Sequence, residues 1–151
     1  MIITQARALG LDAMFLGGDG WGGVSDYASA EDLEGSLYCS AYAPESTDAV
    51  KAFEAAYMEA YGEPVPNMFA ALAYDAAAVL CAALTKAEES GAATGSDEYK
   101  QAVIDAIRTE GSSVVGVTSA TGYTFDDSNN PIKDAVIMEL VKGREVFKEI
   151  Y

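Results

Sequence analysis

The stretch Phe15-Leu16-Gly17-Gly18-Asp19-Gly20-Trp21 decides how this chain is read. Following Met14, it opens apolar and breaks into three glycines around one carboxylate, which predicts a buried strand over 14–16 running straight into a loop. In open α/β sheets ligands sit beyond the carboxyl ends of the strands, so such a strand points Asp19 into a crevice. Gly17, Gly18 and Gly20 would then let backbone come close to something small. Trp21 supplies an apolar wall beside the charge. The competing reading is a plain strand-to-loop turn with Asp19 as its local cap.

Upstream, Ile2 to Leu9 predicts a helix that stops at Gly10, a good residue for a left-handed helix end. It has no N-cap, and Met1 falls on its apolar pattern, so the helix looks cut into and the chain is expected to be a piece of something longer. Downstream, Gly35 to Tyr42 reads as a strand with Leu37, Cys39 and Ala41 on its covered face. Pro44-Glu45-Ser46 breaks the composition and marks a boundary or crossover.

Thr47 or Asp48 caps a helix reaching Gly62, with Val50, Phe53, Ala56, Tyr57, Ala60 and Tyr61 at helical spacing. A long helix follows from Met68 to about Ser90, apolar over so wide a surface that it demands burial on most sides. Asp75 interrupts its alanine-rich centre, so it reads as a core helix rather than a membrane span. A third helix, Asp97 to Glu110, turns Tyr99, Val103, Ile104 and Ile107 inward. The β-branched run Val114 to Val117 leads to a polar loop from Gly122 to Pro131. Asp126, Asp127, Ser128 and Asn130 in that loop lack the spacing and closing Glu of an EF-hand, so no metal is expected. The last segment, 135–150, reads as a hairpin turning near Lys142-Gly143 with charged edges.

Composition narrows the function. With Lys+Arg 9 against Asp+Glu 24, the net charge of −15 repels phosphate backbones and anionic membranes, so nucleic acid is a poor partner. There is no histidine, and Cys39 and Cys81 stand far apart, which removes the common zinc sites and any His-based triad. Two buried free thiols are expected, and no cofactor. No basic-then-apolar leader is read at the start.

Four motifs in order carry a resemblance. Gln5-Ala6-Arg7-Ala8-Leu9-Gly10-Leu11-Asp12, then Phe15 to Trp21, then Phe69-Ala70-Ala71-Leu72-Ala73-Tyr74-Asp75-Ala76-Ala77, then Gly122-Tyr123-Thr124-Phe125-Asp126 with Asn130-Pro131 resemble the carboxyl-terminal part of a branched-chain amino acid substrate-binding protein of an ABC importer. The resemblance spans nearly all of the chain. It implies an α/β chain with an incomplete type I periplasmic-binding fold, three-layer αβα with a mostly parallel sheet, ending in a β-hairpin. Residues 1–43 would belong to the second lobe, 44–134 to the first, and 135–151 to the hairpin returning to the second.

The resemblance also implies ligand contacts. Asp19 matches the family's acidic residue that pairs with the ligand's α-ammonium, with Asp in place of the longer Glu of leucine-type binders. Phe69 matches an aromatic position lining the side-chain pocket, against the alternative of a plain core residue. Trp21 either covers the pocket mouth or packs on its own lobe. Tyr74 and Asp75 form a recognisable family pair, read as helix packing and a buried hydrogen bond. Full-length members work outside the cytoplasm, in the periplasm or lipid-anchored, with a permease as partner. The family's leader and the early part of its first lobe have no counterpart here, which leaves the long helix too little sheet to lie against, so self-association or a strand-exchanged dimer is expected unless an upstream half supplies the missing surface. Two other classes compete with non-catalytic binding: a stand-alone interaction module, and a small enzyme using Asp19 with Asp75 or Asp126 as acid and base.

Overall fold

The computed structural model describes residues 2–151. In chain order the elements are α1 (Ile2–Ala8), β1 (Leu16–Gly17), α2 (Ala30–Leu33), β2 (Leu37–Ser40), α3 (Asp48–Tyr61), α4 (Met68–Glu88), α5 (Asp97–Glu110), β3 (Thr124–Phe125), β4 (Pro131–Ile132), β5 (Val136–Val141) and β6 (Arg144–Ile150). Short 3-10 turns occupy Asp19–Trp21, Val24–Asp26 and Gly111–Ser113. The chain forms two compact units, one running up to Met68 and resuming over Asp134–Tyr151, the other Phe69–Lys133. The break at Pro44 lies inside the first unit.

Local chemistry sets the ends of these elements. Gly10 takes φ 83°, and the bonds Gly10 N–H to Arg7 O and Leu11 N–H to Ala6 O close α1 in a Schellman motif. Met1, on which the cut-helix expectation partly rests, lies outside the described residues. Thr47 Oγ1 accepts from Val50 N–H to start α3, and Gly62 at φ 74° ends it. Ser96 Oγ accepts from Tyr99 N–H at the start of α5, whose first turn carries Asp97 and Glu98 and whose last turn carries Arg108, as the helix dipole favours.

The first unit is built on one sheet of order β1-β2-β5-β6. β1 pairs parallel with β2, and the β2–β5 and β5–β6 junctions are antiparallel. This sheet therefore holds a single parallel pairing, because the terminal hairpin supplies half of its strands. The hairpin turns at Lys142 and Gly143, both with positive φ of 51° and 75°, as a two-residue primed turn requires. β5 buries alternate residues: Met138 and Leu140 are 1% and 0% exposed, and with Ile3, Val24, Leu33, Tyr38 and Ala43 they form the core.

Two expectations for this unit change, and a third for the thiols of both units. The predicted buried strand over 14–16 is a two-residue edge strand, with Leu16 71% exposed, because β1 has a neighbour on one side only. The covered face of β2 is the opposite one: Tyr38, Ser40 and Tyr42 are buried, while Cys39 is exposed. The tyrosines carry the larger apolar area, and their hydroxyls find carboxylate acceptors in Glu145 and Glu54, so their burial leaves nothing unsatisfied. Both thiols are free, but exposed rather than buried.

In the second unit, α4 buries one stripe, Ala71, Asp75, Val79, Ala83 and Ala87. Burial on most sides is not found: Phe69, Tyr74, Leu80 and Leu84 are exposed, and Cys81 lies off the stripe. Three of the five stripe residues are alanine, so the side the helix buries offers little area for its length. The helix is long and apolar enough, by length and composition, to cross a membrane. α5 buries Tyr99 and Ala106, with Ile104 turned outward at 55% exposed. Val114 to Val117 forms no strand, since the N–H of Val117 goes to a side chain of α4 instead.

Candidate functional site

The glycine turn is shaped around its tryptophan. A Cβ built at Gly17 would stand 2.0 Å from a ring carbon of Trp21, so only glycine lets the indole lie there. What comes close to Gly17 is therefore the chain's own side chain, while Gly18 and Gly20 border open space. Gly18 is extended, and Trp21 N–H closes the turn on Gly18 O at 3.2 Å.

Asp19 opens that turn. It makes no cap bond, and among the described residues its exposed carboxylate has no hydrogen-bond or ion-pair partner. Trp21 is half-buried and packs with Phe15 against the core. Together with Ile3, Val24 and Tyr27 they line an apolar cleft of about 390 Å³, within the size range of small-molecule sites. Asp19 does not line the cleft; the next residue, Gly20, does.

Behind the turn sits a residue that sequence reasoning counted only as part of a charged edge. Glu145, on β6, accepts Gly23 N–H on Oε1 at 2.6 Å and the Tyr38 hydroxyl on Oε2 at 2.7 Å. Burial, helped by the bond to Glu145 and its charge, pushes the Tyr38 phenol far above its usual pKa. Tyr42 is raised in the same way, by burial first and then by Glu54, which also accepts Glu45 N–H at 3.1 Å. No spacing rule links Glu145 to Gly23 or Tyr38 across more than a hundred positions, so no local signal marked it.

The second unit holds the other candidates. Phe69 stands in the first turn of α4, 60% exposed, so it is not a core residue of its unit. Asp75 is 1% exposed. Its Oδ1 accepts Val117 N–H at 2.9 Å, and its Oδ2 accepts Thr118 N–H at 2.7 Å, the Thr118 hydroxyl at 2.8 Å and the Tyr123 hydroxyl. Burial is the first cause, and Asp75 a further one, of a Tyr123 pKa well above the usual range. Lys133 Nζ donates to Thr118 Oγ1 at 2.9 Å; burial lowers its pKa, and the Asp75 charge partly restores it.

Asp126 is occupied by its own loop. It accepts from Ser128 N–H, Asn130 N–H and Asn130 Nδ2, and the Asn130 side-chain bond leads the causes that lower its pKa. Asp75 and Asp126 thus spend their oxygens on structural donors.

Residues 1–145 match the family model described as periplasmic binding protein. A leucine-binding protein from Thermotoga maritima is 28% identical with a TM-score of 0.78, covering 99% of this chain and 40% of its own. The branched-chain amino acid transporter substrate-binding protein of Streptococcus pneumoniae, solved with isoleucine, is 28% identical with a TM-score of 0.73 over the same shares, 99% and 40%. An ABC transporter substrate-binding protein from Desulfitobacterium hafniense, in complex with leucine, is 25% identical with a TM-score of 0.75, covering 97% of this chain and 39% of its own. The chain spans about 40% of the length of these solved relatives. Among curated proteins, none matches.

Proposed function

This chain belongs to the periplasmic binding protein family, and from that membership we propose that it captures a branched-chain or related amino acid outside the cytoplasm for an ABC importer, binding without catalysis. In this reading residues 1–43 and 135–151 serve one lobe and 44–134 the other, and a permease is the partner of the whole protein. The observation that carries it is the exposed Asp19 carboxylate, without a partner among the described residues, next in the chain to Gly20, which lines an apolar cleft walled by Trp21 and Phe15. A carboxylate suits an α-ammonium and an apolar wall suits a hydrocarbon side chain. Phe69 is assigned as a further apolar contact, with Gly17 seating the tryptophan and Gly18 and Gly20 giving the turn its freedom.

Titration calorimetry of the full chain with leucine, isoleucine and valine tests the reading. Heat from one site is expected, and Asp19→Asn weakens binding about tenfold or more, the worth of one charge-assisted bond. Absence of heat with all three, or unchanged affinity in Asp19→Asn, overturns it.

A second reading is favoured by the large apolar residues that α4 leaves exposed, Leu80 and Leu84. Such a surface serves an interaction module that acts by self-association or strand exchange. Sedimentation decides it: a dimer that Leu80→Glu dissociates supports this reading, and a monomer at every concentration removes it.

A further inference from the structure

The turn that carries Asp19 and Trp21 is fastened from behind by the terminal hairpin. Five of the seven residues from Gly17 to Gly23 are glycine, and glycine surrenders the most conformational entropy on ordering. Left alone, such a segment would have to be ordered at the expense of any ligand that used it. Gly23 follows the turn in a left-handed conformation, φ 80°. Its N–H donates to Glu145 Oε1 at 2.6 Å across 122 positions of sequence. Among the described residues this is the one side-chain hydrogen bond made by the backbone of 17–23. The other oxygen of Glu145 holds the hydroxyl of Tyr38, which is 4% exposed on β2, between β1 and β5. One carboxylate thus brackets the loop to the interior of the sheet.

We propose that Glu145 is the positioning residue of the capture site, holding the glycine turn so that Asp19 and Trp21 are presented already ordered. The proposal rests on the reading of those two residues as ligand contacts. Glu145 does not line the cleft walled by Trp21; it acts through Gly23. Its geometry also makes the terminal hairpin part of the site's machinery, since β6 delivers the carboxylate and β5 carries β6 onto the sheet.

Trp21 is the only tryptophan in the chain and sits in the turn itself, so it reports on the bracket directly. In Glu145→Ala, acrylamide quenching of Trp21 rises, amides of residues 18–23 exchange about tenfold faster, and leucine affinity falls about tenfold, the scale of one hydrogen bond to a charged group. Amides of β5 keep their protection. Glu145→Gln, with one oxygen for two donors, falls between wild type and Glu145→Ala on all three readouts. Unchanged quenching and exchange in Glu145→Ala overturn the proposal whether or not leucine binds, and a loosened turn with unchanged leucine affinity overturns the link to capture. Absence of leucine heat in the wild-type chain sinks the capture reading instead, while quenching and exchange still decide whether Glu145 holds the turn. Should Glu145→Ala fail to fold, Glu145→Gln decides: quenching and exchange equal to wild type count against the bracket.

Discussion

Replacing Asp75 by Asn or Ala separates the worth of its charge from the worth of its acceptors. Four donors converge on this carboxylate: Val117 N–H on Oδ1, and Thr118 N–H, the Thr118 hydroxyl and the Tyr123 hydroxyl on Oδ2. In Asp75→Asn the remaining oxygen takes the more crowded position, and the new amide faces Val117 N–H, donor against donor. One bond is lost and three lose their charge assistance, a cost of about 2–3 kcal/mol. In Asp75→Ala all four donors lose their acceptor and Lys133 loses its nearby counter-charge, about 4–5 kcal/mol. Against a total stability of about 5–15 kcal/mol for a domain, the Ala variant brings this unit close to unfolding. Gly116 approaches the same carboxylate so closely that an added Cβ would lie 2.5 Å from it, so Gly116→Ala disturbs the same fit from the loop side. Denaturant unfolding followed by circular dichroism, with hydrogen exchange over 116–123, measures these effects. An Asp75→Asn protein within about 0.5 kcal/mol of wild type, with Val117 still protected, would refute the reasoning.

Gly17→Ala places a Cβ 2.0 Å from the Trp21 ring. The indole must leave its seat, so its emission shifts to the red and stability drops by about 1–3 kcal/mol, as for an overpacked site; an unshifted spectrum contradicts the packing described. Tyr38, Tyr42 and Tyr123 have folded pKa values raised well above the ordinary phenol value of about 10. Protons are held more tightly in the folded state, so the stability these groups contribute is complete below about pH 10 and is lost as pH rises beyond it. Absorbance titration should show three phenols that ionise only together with unfolding, and independent ionisation of all nine tyrosines in the folded chain would contradict this. Cys39 and Cys81 should both react with a disulfide reagent without denaturant, since both thiols are free and exposed; slow or partial reaction would show them shielded.

What could be read in the sequence was the chemistry that acts locally. Thr47, Gly62 and Gly10 sit within one helical turn of the groups they satisfy, and Lys142-Gly143 needs only its own φ angles to turn the hairpin. Asp75 was legible as a buried hydrogen-bonding residue because a carboxylate in an alanine-rich helix has few other uses. Its partners, 42 to 48 positions away, were not. The covered face of β2 was misjudged for the same reason: parity looked apolar at Leu37, Cys39 and Ala41, while the deciding partners of Tyr38 and Tyr42 lie at Glu145 and Glu54. Burial of α4 was overestimated because its apolar pattern states what the helix could bury, not what its neighbours supply. At the site, the glycine turn was visible as a turn, but that Gly17 seats an indole, and that Glu145 braces Gly23, depends on three-dimensional proximity alone.

The two exposed thiols fall one to each compact unit, Cys39 on β2 and Cys81 on α4. The native chain therefore arrives with a single attachment point for a donor dye or spin label on one unit and for its counterpart on the other. Energy transfer or dipolar spectroscopy on the unmutated protein would give the separation of the two labels as a distribution, and comparing that distribution with and without an added amino acid would measure directly whether the distance between these two positions changes.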